Sequence, residues 1–234
     1  MNKREPGPSL AMPARSRVKL VLRRGIVTGT IPGGTRLVQS CIADELAVST
    51  RPVRDALREL AAEGFVRLDR RGGAVVRELG RGELDDIYEI RMMLEPVAAA
   101  RAARLASAAS LIRAGELLTV MHGTTDSAQW VEHNASFHKI IDEAGSSPRL
   151  VAILGNLREL SARYITHSVH SVPGRAAQAN AEHAEILRAI IARDPAAAAE
   201  AALRHLHGTP SALNVHPVTA PAASLNHLQR RLSD

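Results

Sequence analysis

The sequence predicts a mainly α-helical chain in two parts: a small helical domain closed by a β-hairpin, then an all-α antiparallel bundle. Three observations lead there. Apolar residues recur at helical spacing through most of the 234 residues. The net charge of +6 is uneven: 16 Lys and Arg face 8 Asp and Glu up to residue 81, and 14 face 16 beyond it. All ten histidines fall in the second part, from His122 onward. A basic front and a near-neutral, histidine-bearing back point to two units with different partners.

Composition removes several classes of function. One cysteine, Cys41, excludes an internal disulfide framework and any cysteine-based zinc cluster. Aromatics at 2% leave too few rings for a single-strand stacking platform. No apolar run reaches the ~18 residues of a membrane helix. The first fifteen residues, interrupted by Pro6, Pro8 and Pro13, lack the apolar core of a signal peptide and are expected to form a flexible arm. The expected compartment is the cytoplasm, with no membrane partner.

In the front part, Val18, Val21, Leu22 and Ile26 form one apolar stripe of a first helix. Ile31-Pro32-Gly33-Gly34 breaks the chain. A short helix follows over Ser40 to Leu46, and Ala47-Val48 makes a tight connection. Ser49 is suited to cap the next helix, and Pro52 falls in its first turn, where a missing N–H costs little. That helix, about Thr50 to Glu63, buries Val53, Ala56, Leu57, Leu60 and Ala61. Arg51, Arg54 and Arg58 then share the opposite face within roughly 60°. Three guanidinium groups on one face repel each other unless an anion is present. Gly64 ends the helix. Phe65 to Asp69 and Ala74 to Glu78 read as strands joined by Arg70-Arg71-Gly72-Gly73, a hairpin with a basic tip. This is the order of a winged helix-turn-helix over residues 16–79. Its middle helix suits the major groove of duplex DNA, and its hairpin, Arg71 included, suits the backbone or the minor groove.

The same residues resemble a known family. Ile31 to Leu37, Ile42 to Ser49, Pro52 to Leu60, Glu63-Gly64-Phe65-Val66 and the Gly72-Gly73 hairpin look like the DNA-binding domain of the GntR superfamily. The resemblance implies DNA contacts from Arg36, from Ser49, Thr50, Arg51 and Arg54 at the helix start, and from the hairpin near Gly73. The family reads Ser-Arg-Thr-Pro where this chain has Ser49-Thr50-Arg51-Pro52. The exchange turns the arginine about 100° round the helix and makes Arg54 the safer base contact.

Beyond Arg81-Gly82, helices are predicted over Glu83–Ala106, Ala109–Thr124, Gln129–Ala144, Pro148–Thr166, Arg175–Arg193 and Pro195–His207. They would form one antiparallel bundle over residues 82–208. Residues 211–234 read as a flexible tail.

Within this bundle Asn134 and His138 stack at i, i+4, while His183 and His205 lie on two later helices. Three imidazoles and one side-chain oxygen from separate helices can converge on a divalent metal, although a lone helical histidine is more often a hydrogen-bonded structural residue. The back half resembles the FCD domain of FadR-type GntR regulators, through Asp86 to Arg91, Leu94-Glu95, Asn134 to Ile141, Glu182-His183 and His205-Leu206. The resemblance implies a metal held by Asn134, His138, His183 and His205, with zinc first and nickel or manganese as alternatives. The oxygen ligand is an Asn where Asp is usual, and Asp142, one turn past His138, is an alternative to it. The resemblance also implies that Arg91 faces the cavity and pairs with an effector carboxylate. The other reading of Arg91 is a salt bridge to Glu95 at i, i+4. His122, His133, His167, His170, His207, His216 and His227 read as surface or capping groups, with His167 or His170 as secondary cavity candidates.

Together these features imply a ligand-responsive transcriptional regulator, expected to repress. It would bind a pseudo-palindromic double-stranded operator as a homodimer and sense a small organic acid in the helical domain. Two rival readings are a metal-dependent hydrolase or lyase, and an architectural DNA-binding protein whose back half only dimerises. No HExxH or nucleophile motif accompanies the histidines.

Overall fold

The computed structural model describes residues 12–70, 72–78, 80–145 and 147–215. The chain divides into two compact units, one running to Glu78 and one beginning at Leu79.

The first unit contains α1 (Ala14–Val27), β1 (Arg36–Leu37), α2 (Gln39–Glu45), α3 (Thr50–Ala62), β2 (Val66–Leu68) and β3 (Ala74–Val76). Val18, Leu22 and Ile26 of α1 pack with Val53, Ala56, Leu57 and Leu60 of α3 in one core. Val21 and Ala61, expected in those stripes, are only half-buried. Arg15 and Lys19 of α1 reinforce the pair from outside, lying 3.1 and 2.9 Å from the two Glu59 carboxylate oxygens.

β2 and β3 form the expected hairpin, shorter than the predicted strands. The sheet gains an unforeseen member, β1, which pairs antiparallel with β3 through Leu37 opposite Ala74. Two residues are too few to show an alternation in sequence, so β1 is defined only by its partner. Gly73 is needed because an added Cβ would lie 2.6 Å from the Leu37 carbonyl oxygen. Ser49 has the extended backbone of an N-cap, but its side chain makes no capping hydrogen bond, contrary to expectation.

The second unit contains α4 (Arg81–Leu105), α5 (Ala108–Gly123), α6 (Ser127–Gly145), α7 (Pro148–Ser171), α8 (Arg175–Ile191), α9 (Pro195–Leu206) and α10 (Gly208–Val215). Side chains stop the backbone N–H groups at three helix starts from going unsatisfied: Ser107 accepts from Ser110, Ser147 from Leu150, and Asp194 from Ala196 and Ala197. Pro148 and Pro195 take the first turns of α7 and α9. Small residues on α4, Ala98, Ala99, Ala102 and Ala103, are all buried and let neighbouring helices approach. Where the end of α6 meets α4, a Cβ on Gly145 would lie 2.5 Å from the Ala102 nitrogen.

Two boundaries are corrected. α7 runs past Thr166 to Ser171, and α10 occupies residues 208–215, so residues 211–215 of the stretch expected to be a loose tail are helical. Pro210 lies in the first turn of α10, where a missing N–H costs little. Residues 1–11 and 216–234, which hold most of the predicted arm and tail together with His216 and His227, lie outside the described residues. Among the described residues, no helix is long and apolar enough to cross a membrane.

Candidate functional site

The first unit presents a basic surface around the start of α3. Burial of Val53, Ala56, Leu57 and Leu60 turns the other face outward, so Ser49, Thr50, Arg51, Arg54 and Arg58 are all exposed. A cleft of ≈ 330 Å³ is lined by Arg36, Val38, Gln39, Ser40, Arg54, Gly72 and Gly73. It therefore joins three of the residues singled out in sequence, Arg36, Arg54 and Gly73; Arg71 lies outside the described residues.

Asp69 organises this cleft. One carboxylate oxygen accepts from the Gly73 N–H at 2.8 Å, and the other accepts from Arg36 Nε at 2.9 Å. Arg54 Nε donates to the Gln39 side-chain oxygen at 3.3 Å, which links α3 to α2. Neither Gln39 nor Asp69 was flagged by the sequence, because the arginine that each holds lies 15 or more positions away. Outward guanidinium groups at a helix start beside a glycine wing provide donors for phosphates and base edges.

The second unit brings together all four residues expected as metal ligands. Asn134 and His138 come from α6, His183 from α8 and His205 from α9, and all but the half-buried His205 are buried. Ring centres lie 5.0 Å apart for His138 and His183, 5.1 Å for His138 and His205, and 4.5 Å for His183 and His205. One ring nitrogen from each histidine falls within 4.8 Å of the others.

Their hydrogen bonding is incomplete in a telling way. Neither nitrogen of the fully buried His183 has a partner, and neither His138 Nε2 nor Asn134 Oδ1 has one. Buried polar atoms are rarely left so, and one shared ion would satisfy a single His183 nitrogen together with His138 Nε2 and Asn134 Oδ1. Burial pushes the pKa of all three histidines below the usual value; for His205 the Glu182 carboxylate opposes that shift. Neutral imidazole is the form that ligates a metal, so donor set and protonation state agree.

Both oxygens of Asp142, the alternative oxygen ligand, accept hydrogen bonds from Arg158. Arg158 also lies 3.3 Å from Glu95, whose other oxygen accepts from Arg91 Nε at 2.7 Å. Burial alone would raise the Glu95 pKa, but Arg158 and Arg91 outweigh it and hold the group at about 2. Arg91 donates further to Ser161 Oγ at 3.0 Å and stacks over the Tyr88 ring, 4.6 Å from its centre. The Arg91–Glu95 ion pair is thus formed, and the same guanidinium lines a small cavity with Tyr88, Asn134, Ser168, Arg175 and His205. Its free space, ≈ 10 Å³, is near the minimum for one water molecule. His167 and His170 do not line it; the intervening Ser168 and Val169 do. His122 has a local role, with Nδ1 2.8 Å from the Leu118 carbonyl oxygen. Arg158, Arg175 and Glu182 carried no signal strong enough to be singled out in sequence. Only the adjacency of Glu182 to His183 hinted at a carboxylate beside the cluster.

Comparison with known proteins covers both units. The FCD domain family matches residues 86–208, and the gntR family of bacterial regulatory proteins matches residues 14–76. The gluconate operon transcriptional repressor of Bacillus subtilis is 33% identical over 156 residues, 65% of this chain and 64% of that repressor. The chain therefore spans just under two thirds of that relative's length. The transcriptional repressor GlaR of Escherichia coli is 28% identical over 197 residues, 79% of this chain and 89% of its own. Among solved structures, E. coli McbR/YncC superposes with a TM-score of 0.78 at 22% identity, covering 88% of this chain and 99% of that one, a likeness of fold.

Proposed function

The chain belongs to the FCD-domain family of GntR regulators, and from that premise we propose that it is a ligand-responsive repressor that binds duplex DNA through α3 and senses a small organic acid through a metal in the helical unit. The family and the relatives above are transcriptional regulators and not enzymes, so the hydrolase or lyase reading is set aside.

For the reading head, the support is the outward face of Arg51, Arg54 and Arg58 beside the Arg36–Gly73 cleft. An operator of pseudo-palindromic half-sites would be read by a homodimer, one α3 per half-site. α4 has a face for the second copy: Ile90, Met93 and Val97 lie at i, i+3 and i+7 and are 45%, 62% and 50% exposed. Such a regulator works in the cytoplasm, where the operator is.

For the sensor, the observation that carries the reading is His183: fully buried, with neither nitrogen bonded. Asn134, His138, His183 and His205 would hold the ion, and three nitrogens with one amide oxygen suit zinc, then nickel or manganese. When bound, the ion supplies a Lewis-acidic position for an effector carboxylate. Arg91 lines the same cavity and would pair with that carboxylate by giving up part of its bond to Glu95. Effector binding then favours one of two dimer states, and DNA affinity follows.

The test is selection of binding sites from random duplex DNA by the full chain. A pseudo-palindromic consensus with strong salt dependence is expected. Binding without sequence preference, indifferent to metal and to organic acids, would favour the architectural reading instead.

A further inference from the structure

Glu182 is absent from the proposed ligand set, yet it contacts the site through a second residue. Its Oε2 lies 2.7 Å from His205 Nδ1. Arg175, itself buried, donates to both oxygens of the same carboxylate at 3.3 Å. The guanidinium rests on Gly208, the first residue of α10, where a Cβ would lie 2.1 Å from Arg175 Nη2. A glycine seat, an arginine, a glutamate and a histidine thus form one chain of contacts that ends at the cluster.

The chemistry of that chain fixes a proton. A carboxylate flanked by a guanidinium is ionised and can only accept hydrogen bonds. Whatever charge the imidazole carries, the nitrogen facing that carboxylate at 2.7 Å must bear an N–H, and that nitrogen is Nδ1. In the neutral ring, that leaves the Nε2 lone pair of His205 free to ligate. Without the carboxylate, the ring could adopt either tautomer and rotate.

We propose that Glu182 is the positioning residue of the metal site: it holds His205 in the Nδ1–H tautomer and so presets Nε2 as a ligand, while Arg175, seated on Gly208, holds Glu182 in place. This rests on the metal reading above. Outer partners of this kind set ring orientation and raise ligand basicity, and losing one lowers metal affinity by about 10–100-fold.

The test uses the full chain labelled with ¹⁵N-histidine and, separately, zinc competition against a chelator. In the metal-free wild type, long-range ¹H–¹⁵N correlations should show His205 protonated on Nδ1 and bare on Nε2. E182A should lose that pattern and bind zinc about 10–100-fold more weakly, whereas E182Q, whose amide oxygen still accepts, should keep Nδ1–H and recover most of the affinity. G208A, which displaces the Arg175 guanidinium, should fall between E182Q and E182A. A wild-type His205 protonated on Nε2, or E182A binding zinc within twofold of wild type, would overturn the proposal alone. A wild type that binds no zinc at all would overturn the metal reading and this proposal with it.

Discussion

Arg158 bonds both carboxylate oxygens of Asp142, its Nη2 lying 3.1 Å from Oδ1. Asn134 Oδ1, by contrast, is buried without a hydrogen-bond partner, which favours it over Asp142 as the oxygen ligand beside His138, His183 and His205. Asp142→Asn should therefore leave the zinc stoichiometry of the purified chain unchanged, while Asn134→Ala should weaken zinc retention. Elemental analysis after dialysis against a mild chelator reads both. Loss of metal from Asp142→Asn with none from Asn134→Ala would make Asp142 the ligand.

Glu95 lies between Arg91 and Arg158, and their charges outweigh its burial to hold its pKa at about 2, against 4.5 unperturbed. The folded value is the depressed one, so this stabilisation is full above about pH 4.5. It is lost as pH falls from there toward 2. The difference corresponds to roughly 3 kcal/mol. Glu95→Gln should flatten that part of the acid-unfolding profile. At pH 7 it should cost about 3–5 kcal/mol, because two buried guanidiniums lose a counter-charge. Urea unfolding between pH 7 and pH 3 measures both effects, and matching pH slopes in variant and wild type would contradict the assignment.

Arg54 reaches outward from α3 into the cleft shared with Arg36 and Gly73. Arg54→Ala should weaken binding to a selected operator by about 1–3 kcal/mol if it reads a base. If it contacts a phosphate instead, the salt slope should fall by about 1. Fluorescence anisotropy at three salt concentrations separates the two. Unchanged affinity and unchanged slope would remove Arg54 from the interface.

Met93 is 62% exposed at the centre of the α4 stripe. If a second copy covers that stripe, Met93→Glu should shift the chain from dimer to monomer in light scattering and reduce operator affinity. A monomeric wild type, or a variant that stays dimeric, would place the interface elsewhere.

The helices were legible because burial follows period: Val18, Leu22 and Ile26, then Val53, Leu57 and Leu60, are buried where the 3.6-residue repeat puts them. The four candidate ligands were named because family order fixed them, and the fold brings them together. The sequence was silent where a feature depends on a distant partner. β1 exists only through β3, and Arg158 is buried only because Glu95 and Asp142, on two other helices, meet it. Arg91 had two readings at i, i+4, and the structure displays the ion pair together with the cavity position. Glu182 was passed over because its role depends on His205, 23 residues away.

Metal content is the most direct check on the sensor. Elemental analysis should find one divalent ion per wild-type chain after gel filtration and almost none in His183→Ala, whose fully buried ring supplies two of the unpartnered nitrogens. Equal, sub-stoichiometric metal in both proteins, even after incubation with zinc, would mean that the histidine cluster is only a packed core.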